Sequence, residues 1–424
     1  MRLENSMRTG FAVRRALAAA TSIACCLSPT AEADLARWIV GDPEDAIVDH
    51  RPGLVLAGGG GDCDPAMRWM LERAAGGDVV VLRTSGGDGY NPYLFEELGV
   101  EVDSVETLRV ASRDAANDPE VVETVRRAEV LFIAGGDQRT YVDLWRDTAL
   151  FAAIDHLLLE KQATVGGTSA GMMILAGAWY APETLGVLSE EALGDPHHPY
   201  MTELGHGGLL QAPHLERVIA DTHFDDRNRR GRLVAFLARL RSDLALDARG
   251  LACNEWTAIA VDEHGLGRVF GEWPAFPDHA HFLSSPCPPP RGMPERCEPG
   301  LPLDWNLGGQ AVHAVRISGT PDGRHAFDLD AWTPTGDPLR MRWWVEDGVW
   351  REAVGGLDPA CPCLGDLDAS GDVGGGDLAV VLAAWNTPDA AADLDGDGLV
   401  GGGDLAVLLA SWGACGDRPA SRGS

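Results

Sequence analysis

Lysine is almost missing from this chain of 424 residues: Lys161 is the only one, and every other basic side chain is an arginine. That excludes serine–lysine hydrolase schemes other than one built on Lys161 itself. Positive charge is scarce altogether, with 34 Lys and Arg against 64 Asp and Glu and a formal net charge of -30. Such an excess repels phosphate backbones and anionic lipid, which argues against nucleic acid and acidic membrane surfaces as partners. Beyond the first few dozen residues no apolar run is long enough for a transmembrane helix.

The N-terminus reads as an export signal. Arg8, Arg14 and Arg15 precede the short apolar stretch from Ala16 to Leu27, and Ala31-Glu32-Ala33 is a small-x-small cleavage pattern. Residues 1–33 are therefore expected to be a signal peptide, and the mature chain to be secreted, periplasmic or held at the cell surface. An oxidising compartment permits disulfides. Cys287 and Cys297 could close a proline-rich loop, and Cys415 could pair with Cys361 or Cys363.

Residues 34–356 read as one catalytic domain. From Gly53 to about Asp262 short apolar runs alternate with glycine turns and amphipathic segments. Leu54-Val55-Leu56 enters Gly58-Gly59-Gly60-Gly61, and Val79-Val80-Val81-Leu82 enters Ser85-Gly86-Gly87. Val130-Leu131-Phe132-Ile133 enters Gly135-Gly136, and Ala163-Thr164-Val165 enters Gly167. This predicts an α/β fold with a doubly wound, mostly parallel sheet, its glycine turns converging at the carboxyl edge where ligands bind. From about residue 253 the pattern turns β-rich, read as an extension of that domain.

Residues 361–415 hold an internal repeat. Oxygen donors fall at positions 1, 3, 5 and 12 of two twelve-residue loops, with glycine at position 6. The first loop offers Asp366, Asp368, Ser370, the Asp372 carbonyl and Asp377. The second offers Asp393, Asp395, Asp397, the Leu399 carbonyl and Asp404. Hard oxygen ligands in that spacing suit Ca2+, and the stretch from Cys361 to Gly413 has no Lys or Arg to neutralise its carboxylates. A small calcium-loop helical module is expected. It resembles a type I dockerin, which implies attachment to a cell-surface or scaffold partner. Dockerins meet cohesins through loop positions 10 and 11, often Ser-Thr; here these are Gly375-Gly376 and Gly402-Gly403, which argues against a cohesin.

The chemistry-bearing motif is Gly167-Thr168-Ser169-Ala170-Gly171, at the junction of a strand and a helix. A serine on such a turn is held out of the backbone, where a base can take its proton. Asp221-Thr222-His223-Phe224 supplies the candidate base. The Ala170 amide and the Gly135-Gly136 turn, with the Gly136 amide, are the candidate oxyanion donors.

Taken with Phe132-x-x-Gly-Gly-Asp-Gln138, these motifs make residues 50–350 resemble the cyanophycinase-like serine peptidases, which have a fold similar to class I glutamine amidotransferases. Asp221-Thr-His223-Phe-Asp-Asp-Arg227-Asn-Arg229-Arg-Gly-Arg232-Leu233 is similar to the family's D-x-H-F-x-x-R-x-R-x-x-R-L. Gly250-Leu-Ala-Cys-Asn-Glu255-Trp-Thr257-Ala258 is similar to its later G-x-x-x-x-E-x-T-A segment. The resemblance implies hydrolysis of β-aspartyl-arginine or related small peptide links without a catalytic cofactor. Ser169 would be the nucleophile and His223 the base. It places the third member of the triad on a glutamate between them, Glu183, Glu190 or Glu191, with Glu191 in Ser189-Glu190-Glu191-Ala192-Leu193 the choice. Gln138, Asp221, Arg227, Arg229 and Arg232 would then contact substrate. The alternatives are an aspartyl dipeptidase, or a non-catalytic binding protein that uses the same fold as a scaffold.

Overall fold

The computed structural model describes residues 34–414 other than 185, 290–291, 337, 356–364, 369, 390 and 396. The expected signal peptide and Cys361, Cys363 and Cys415 lie outside the described residues. No described helix is long and apolar enough to cross a membrane.

A ten-stranded sheet runs in the order β1 (Leu35–Gly41), β4 (Ser104–Val110), β3 (Asp78–Arg83), β5 (Val130–Ile133), β6 (Thr164–Thr168), β2 (Gly53–Ala57), β11 (Ala258–Val261), β12 (Leu266–Phe270), β15 (Ala326–Asp328) and β16 (Thr333–Pro334). Its middle, from β4 to β2, is parallel. Strands on both sides of that block are antiparallel. β2, β5 and the middle of β3 are continuous apolar runs because both of their faces are covered, whereas β4 is buried along its whole length yet carries Ser104, Glu106, Thr107 and Arg109. Leu54, Leu56, Val80, Leu82, Leu131 and Ile133 point into one core, and Val55, Ala57, Val79, Val81, Val130 and Phe132 into the other. This is the two-residue period of a strand with helices on each side. The helix Asp64–Glu72 closes one face with Met67 and Met70. The helices Pro119–Arg127 and Ala149–His156 close the opposite face with Val121, Val125, Leu150 and Ile154. Each such side chain, fully buried, contributes roughly 1.5–3 kcal/mol. An exposed pair such as Arg127–Glu123 gives about 0–1 kcal/mol, so the cores hold this layer together.

The expectation of one sheet with a β-rich extension needs correction. A second, eight-stranded sheet runs β18 (Val349–Val354), β17 (Leu339–Glu346), β14 (Val312–Ser318), β13 (His279–Ser284), β10 (Arg249–Cys253), β9 (Val218–Asp221), β7 (Ala178–Tyr180) and β8 (Leu204–His206). The β-rich segment supplies half of it, pairing through β13 onto β10, while β11 and β12 return to the first sheet. Alternating burial along β14 and β17 marks strands with one face to the core and one to solvent. Strand partners are set by contacts distant in sequence, so local patterns do not reveal which sheet a strand joins. The expected Cys287–Cys297 bridge is absent: Cys287 is disulfide-bonded, but Cys297 is a free thiol.

In the C-terminal segment each acidic turn leads into a helix, Gly375–Ala383 and Gly402–Ala410. A small core of Val373, Val381, Val400 and Leu408 lies between them. Asp377 and Asp404 are buried, and their carboxylates accept backbone N–H groups from Leu367, Asp368 and Gly374 and from Leu394, Asp395 and Gly401.

Candidate active site

Adjacent strands β5, β6 and β2 end together, so the Gly135-Gly136 turn, Ser169 and the Gly58–Gly61 turn meet at one edge. Ser169 has φ 52° and ψ -116°, the sharp strand-to-helix turn that lifts its hydroxyl out of the chain. A non-glycine residue held there costs on the order of 1–3 kcal/mol, which the surrounding fold must supply. The flanking glycines make so tight a turn possible. A Cβ on Gly167 would lie 2.4 Å from the Gly171 backbone, and one on Gly171 would lie 2.2 Å from the Ile133 carbonyl oxygen. Ser169 N–H donates to the Ala57 carbonyl at 2.9 Å, tying the elbow to β2.

The second sheet delivers the base. His223 follows β9, its N–H donates to the Gly58 carbonyl at 2.9 Å, and its Nε2 lies 2.8 Å from Ser169 Oγ. On the other side of the ring, Nδ1 lies 2.6 Å from Glu255 Oε1. Glu255 follows β10, the parallel neighbour of β9, so both residues emerge from the same edge of that sheet. Gly59, at φ 90°, lets its chain touch both reacting groups. A Cβ there would lie 2.6 Å from the His223 ring and 3.1 Å from Ser169 Cβ. Burial holds the His223 pKa below its ordinary value; the Glu255 hydrogen bond works against this, and Arg227 and Arg229 reinforce it. The imidazole is therefore neutral at neutral pH, the form that can accept a proton.

The glutamate expected from sequence is elsewhere. The Glu191 carboxylate accepts the Leu188 N–H at 2.8 Å, capping the first turn of its own helix, Ser189–Gly194. That helix packs by Ser189 onto the start of the helix Arg230–Leu244, through bonds to the Asn228 carbonyl and the Arg232 N–H. Glu255 stands where Glu191 was expected. The signal for it was visible in the Gly250-to-Ala258 segment, whose glutamate falls one turn beyond a strand end.

The residues expected to hold substrate divide into two groups. Asp221 is fully buried, and its two oxygens take Arg232 Nε at 2.8 Å and Nη2 at 2.5 Å, with Arg229 Nη1 at 3.3 Å. Arg232 is itself buried, and burial brings Arg229 down to about 10 despite the Asp221 charge. This ion cluster ties β9 to the helix that follows it; Asp221 and Arg232, both buried, are taken up in it, and Arg229 joins it while staying partly exposed. Arg227 is different: its side chain is 54% exposed, with Nη2 4.0 Å from Glu255 Oε1. Gln138 starts the helix Gln138–Trp145 immediately after the Gly135-Gly136 turn and is half-buried. Gly135 lies against Ser169, a Cβ there being 3.5 Å from Ser169 Cβ, and Gly136 is exposed. Ala170 opens the helix Ala170–Met173, so its N–H is among those with no intrahelical partner.

Residues 91–264 match peptidase family S51, a span that contains Ser169, His223 and Glu255. Similar curated proteins include the cyanophycinase of Nostoc sp., 28% identical over 179 residues, which are 42% of this chain and 54% of that protein. That of Synechococcus elongatus is 29% identical over 231 residues, 52% of this chain and 66% of the relative. That of Geminocystis herdmanii is 31% identical over 186 residues, 44% and 61% of the two chains. The chain thus spans a little over half the length of the first of these relatives. Among solved structures, a peptidase from an acI-B1 Actinobacterium is similar over 66% of this chain and 97% of that one, with 18% identity and a TM-score of 0.41.

Proposed function

We propose that this chain is a serine peptidase of the cyanophycinase kind, working through Ser169, His223 and Glu255. The observation that carries the reading is the continuous hydrogen-bonded line from Ser169 Oγ through the His223 ring to the Glu255 carboxylate. Ser169 Oγ attacks the amide carbon while its proton passes to His223 Nε2. Glu255 keeps the Nδ1 proton facing itself, so that Nε2 presents its lone pair to the hydroxyl, and it stabilises the imidazolium once formed. The Ala170 and Gly136 N–H groups receive the oxyanion. His223 then returns the proton to the leaving amine, and water repeats the sequence on the acyl-enzyme.

Arg227 and Gln138 are the groups assigned to substrate. A planar guanidinium at the rim suits a free carboxylate on a β-aspartyl link. The relatives named as cyanophycinases favour β-aspartyl-arginine links, and an aspartyl dipeptidase is the second member of the same substrate class. Purified protein incubated with cyanophycin and with a panel of β-aspartyl dipeptides tests this. Release of Asp-Arg dipeptides from the polymer supports the first, and cleavage of dipeptides alone supports the second. No turnover of either, by a protein whose Ser169 is reactive, rejects the substrate class.

The reading extends to residues 361–415 as a calcium-stabilised attachment module of an exported protein. Carboxylate oxygens of Asp366, Asp368 and Asp377 come within 4.8 Å of one another, as do those of Asp393, Asp395 and Asp397. Such triplets fit a hard divalent cation, because the repeat has no basic side chain to offset them. Gly371 and Gly398, at loop position 6, have φ 88° and 91°, the sharp bend such a loop needs. Asp372 and Leu399 would add their carbonyls, and Ser370 its hydroxyl. Asp404 corresponds to Asp377 in the second copy.

A further inference from the structure

His223 and Glu255 sit on two separate turns, and one hydrogen bond joins their side chains. The relative placement of the turns therefore decides whether that bond is made. The ties between them are concentrated at one point. Asp225, two residues after His223, donates its backbone N–H to Asn254 Oδ1 at 3.2 Å. Asn254, the residue before Glu255, donates Nδ2 back to Asp225 Oδ2 at 3.2 Å. The Phe224 N–H reaches the Cys253 carbonyl at 3.2 Å, and the Glu255 N–H reaches Asp226 Oδ2 at 2.8 Å.

The pair is anchored as well as reciprocal. Asn254 is 4% exposed; its second amide hydrogen goes to the Pro277 carbonyl at 3.1 Å, and its backbone N–H to the His279 carbonyl at 3.0 Å. With Oδ1 facing an N–H and Nδ2 facing a carboxylate and a carbonyl, only one orientation of the amide satisfies the site. Asp225 Oδ1 takes Arg230 Nε at 2.7 Å, and the fully buried His281 brings Nε2 to 3.8 Å from Oδ2. Burial works against the Asp225 charge, but the Arg230 guanidinium and the Asn254 amide outweigh it and the carboxyl lies at about 2; His281, brought down to about 3 by its own burial, adds charge only in acid. The clasp is thus charged throughout the working range of an imidazole base.

We propose that Asp225 and Asn254 are the positioning residues of this site, a reciprocal clasp that locks the Glu255 turn onto the His223 turn and so keeps His223 Nε2 on Ser169. The proposal rests on the reading of Ser169, His223 and Glu255 as the reacting set. Both residues act through Glu255 and His223 and take no part in bond making.

The test uses the full chain and a fluorophosphonate probe, whose phosphorus is attacked by Ser169 Oγ as fluoride leaves and His223 takes the hydroxyl proton. The labelling rate constant is followed against pH, with the modified residue located by mass spectrometry and folding followed by thermal melting. Because a displacement near 1 Å can cost about a hundredfold, Asn254→Ala should lower the plateau rate by about that factor, and the isosteric Asp225→Asn by about tenfold. In both, the midpoint of the rate profile should move to lower pH, since Glu255 raises the His223 pKa and loses its place. A merely structural clasp would lower the melting temperature but leave the rate and midpoint of folded protein unchanged, and that result overturns the proposal. Where Asn254→Ala does not fold, Asp225→Asn decides. Wild-type protein that is not labelled at Ser169 overturns the reacting set and the clasp with it. Wild type labelled at Ser169, beside variants labelled equally well, overturns the clasp alone.

Discussion

Glu255 Oε1 lies 2.6 Å from His223 Nδ1, and this contact joins two turns that are 32 residues apart in sequence. It makes Glu255 the orienting partner of the proposed base and leaves Glu191 as a helix cap. Replacement should separate the two. Glu255→Gln is expected to lower kcat/KM on a cleaved β-aspartyl substrate by about a hundredfold or more, whereas Glu191→Gln changes it less than about threefold. Ser169→Ala and His223→Ala should each abolish turnover, and the double variant should be no worse than either, because the groups act as a unit. Equal losses for Glu255→Gln and Glu191→Gln would break the assignment.

The pH profile follows from the lowered His223 pKa. The neutral ring is the active form, so kcat/KM should fall as pH drops through the folded pKa, with an apparent value below the ordinary 6.5. Steady-state rates between pH 4 and pH 8 measure it. An apparent value above 6.5 for that limb would contradict burial as the dominant influence.

Arg227 and Asp221 should respond oppositely to removal. Asp221→Ala leaves the buried Arg232 and the half-buried Arg229 without their carboxylate and is expected to destabilise the chain by about 3–5 kcal/mol. Arg227→Ala, at an exposed side chain, should change stability by less than about 0.5 kcal/mol. It should raise KM for substrates bearing a free carboxylate. Denaturant titration and steady-state kinetics on the two variants distinguish the roles.

Gly59→Ala probes the closeness of the glycine turn. The added methyl would lie 2.6 Å from the His223 ring, at a backbone φ of 90°. Activity should fall by about a hundredfold or more from displacement of the imidazole. Crystallography or NMR of the variant should find the ring moved off Ser169; full activity would place the catalytic base elsewhere.

Calcium is expected to bind the full chain at two sites, seen by titration calorimetry, and to raise the melting temperature of residues 361–415. Asp377→Ala and Asp404→Ala should each remove one site, since carboxylates gathered this closely repel until a cation neutralises them. Identical melting with calcium and with chelator would reject the module's proposed metal.

The sequence by itself determined the central strands of the parallel core, because strands covered on both faces tend to continuous apolar runs; β4, buried but carrying Ser104, Glu106, Thr107 and Arg109, shows no such run. It determined the serine elbow, because the glycines of Gly167-x-Ser-x-Gly171 are what a tight strand-to-helix turn needs. It also marked His223 and the periodic acidic loops, whose spacing is local. The tertiary structure decided the rest. It divided the strands between two sheets, brought Glu255 rather than Glu191 to His223, and turned Asp221, Arg229 and Arg232 inward while leaving Arg227 at the surface. All of these depend on which strand ends lie side by side. Side chains that share one sequence motif then take opposite fates, because burying a charge is tolerable only where a partner from the folded chain is already in place.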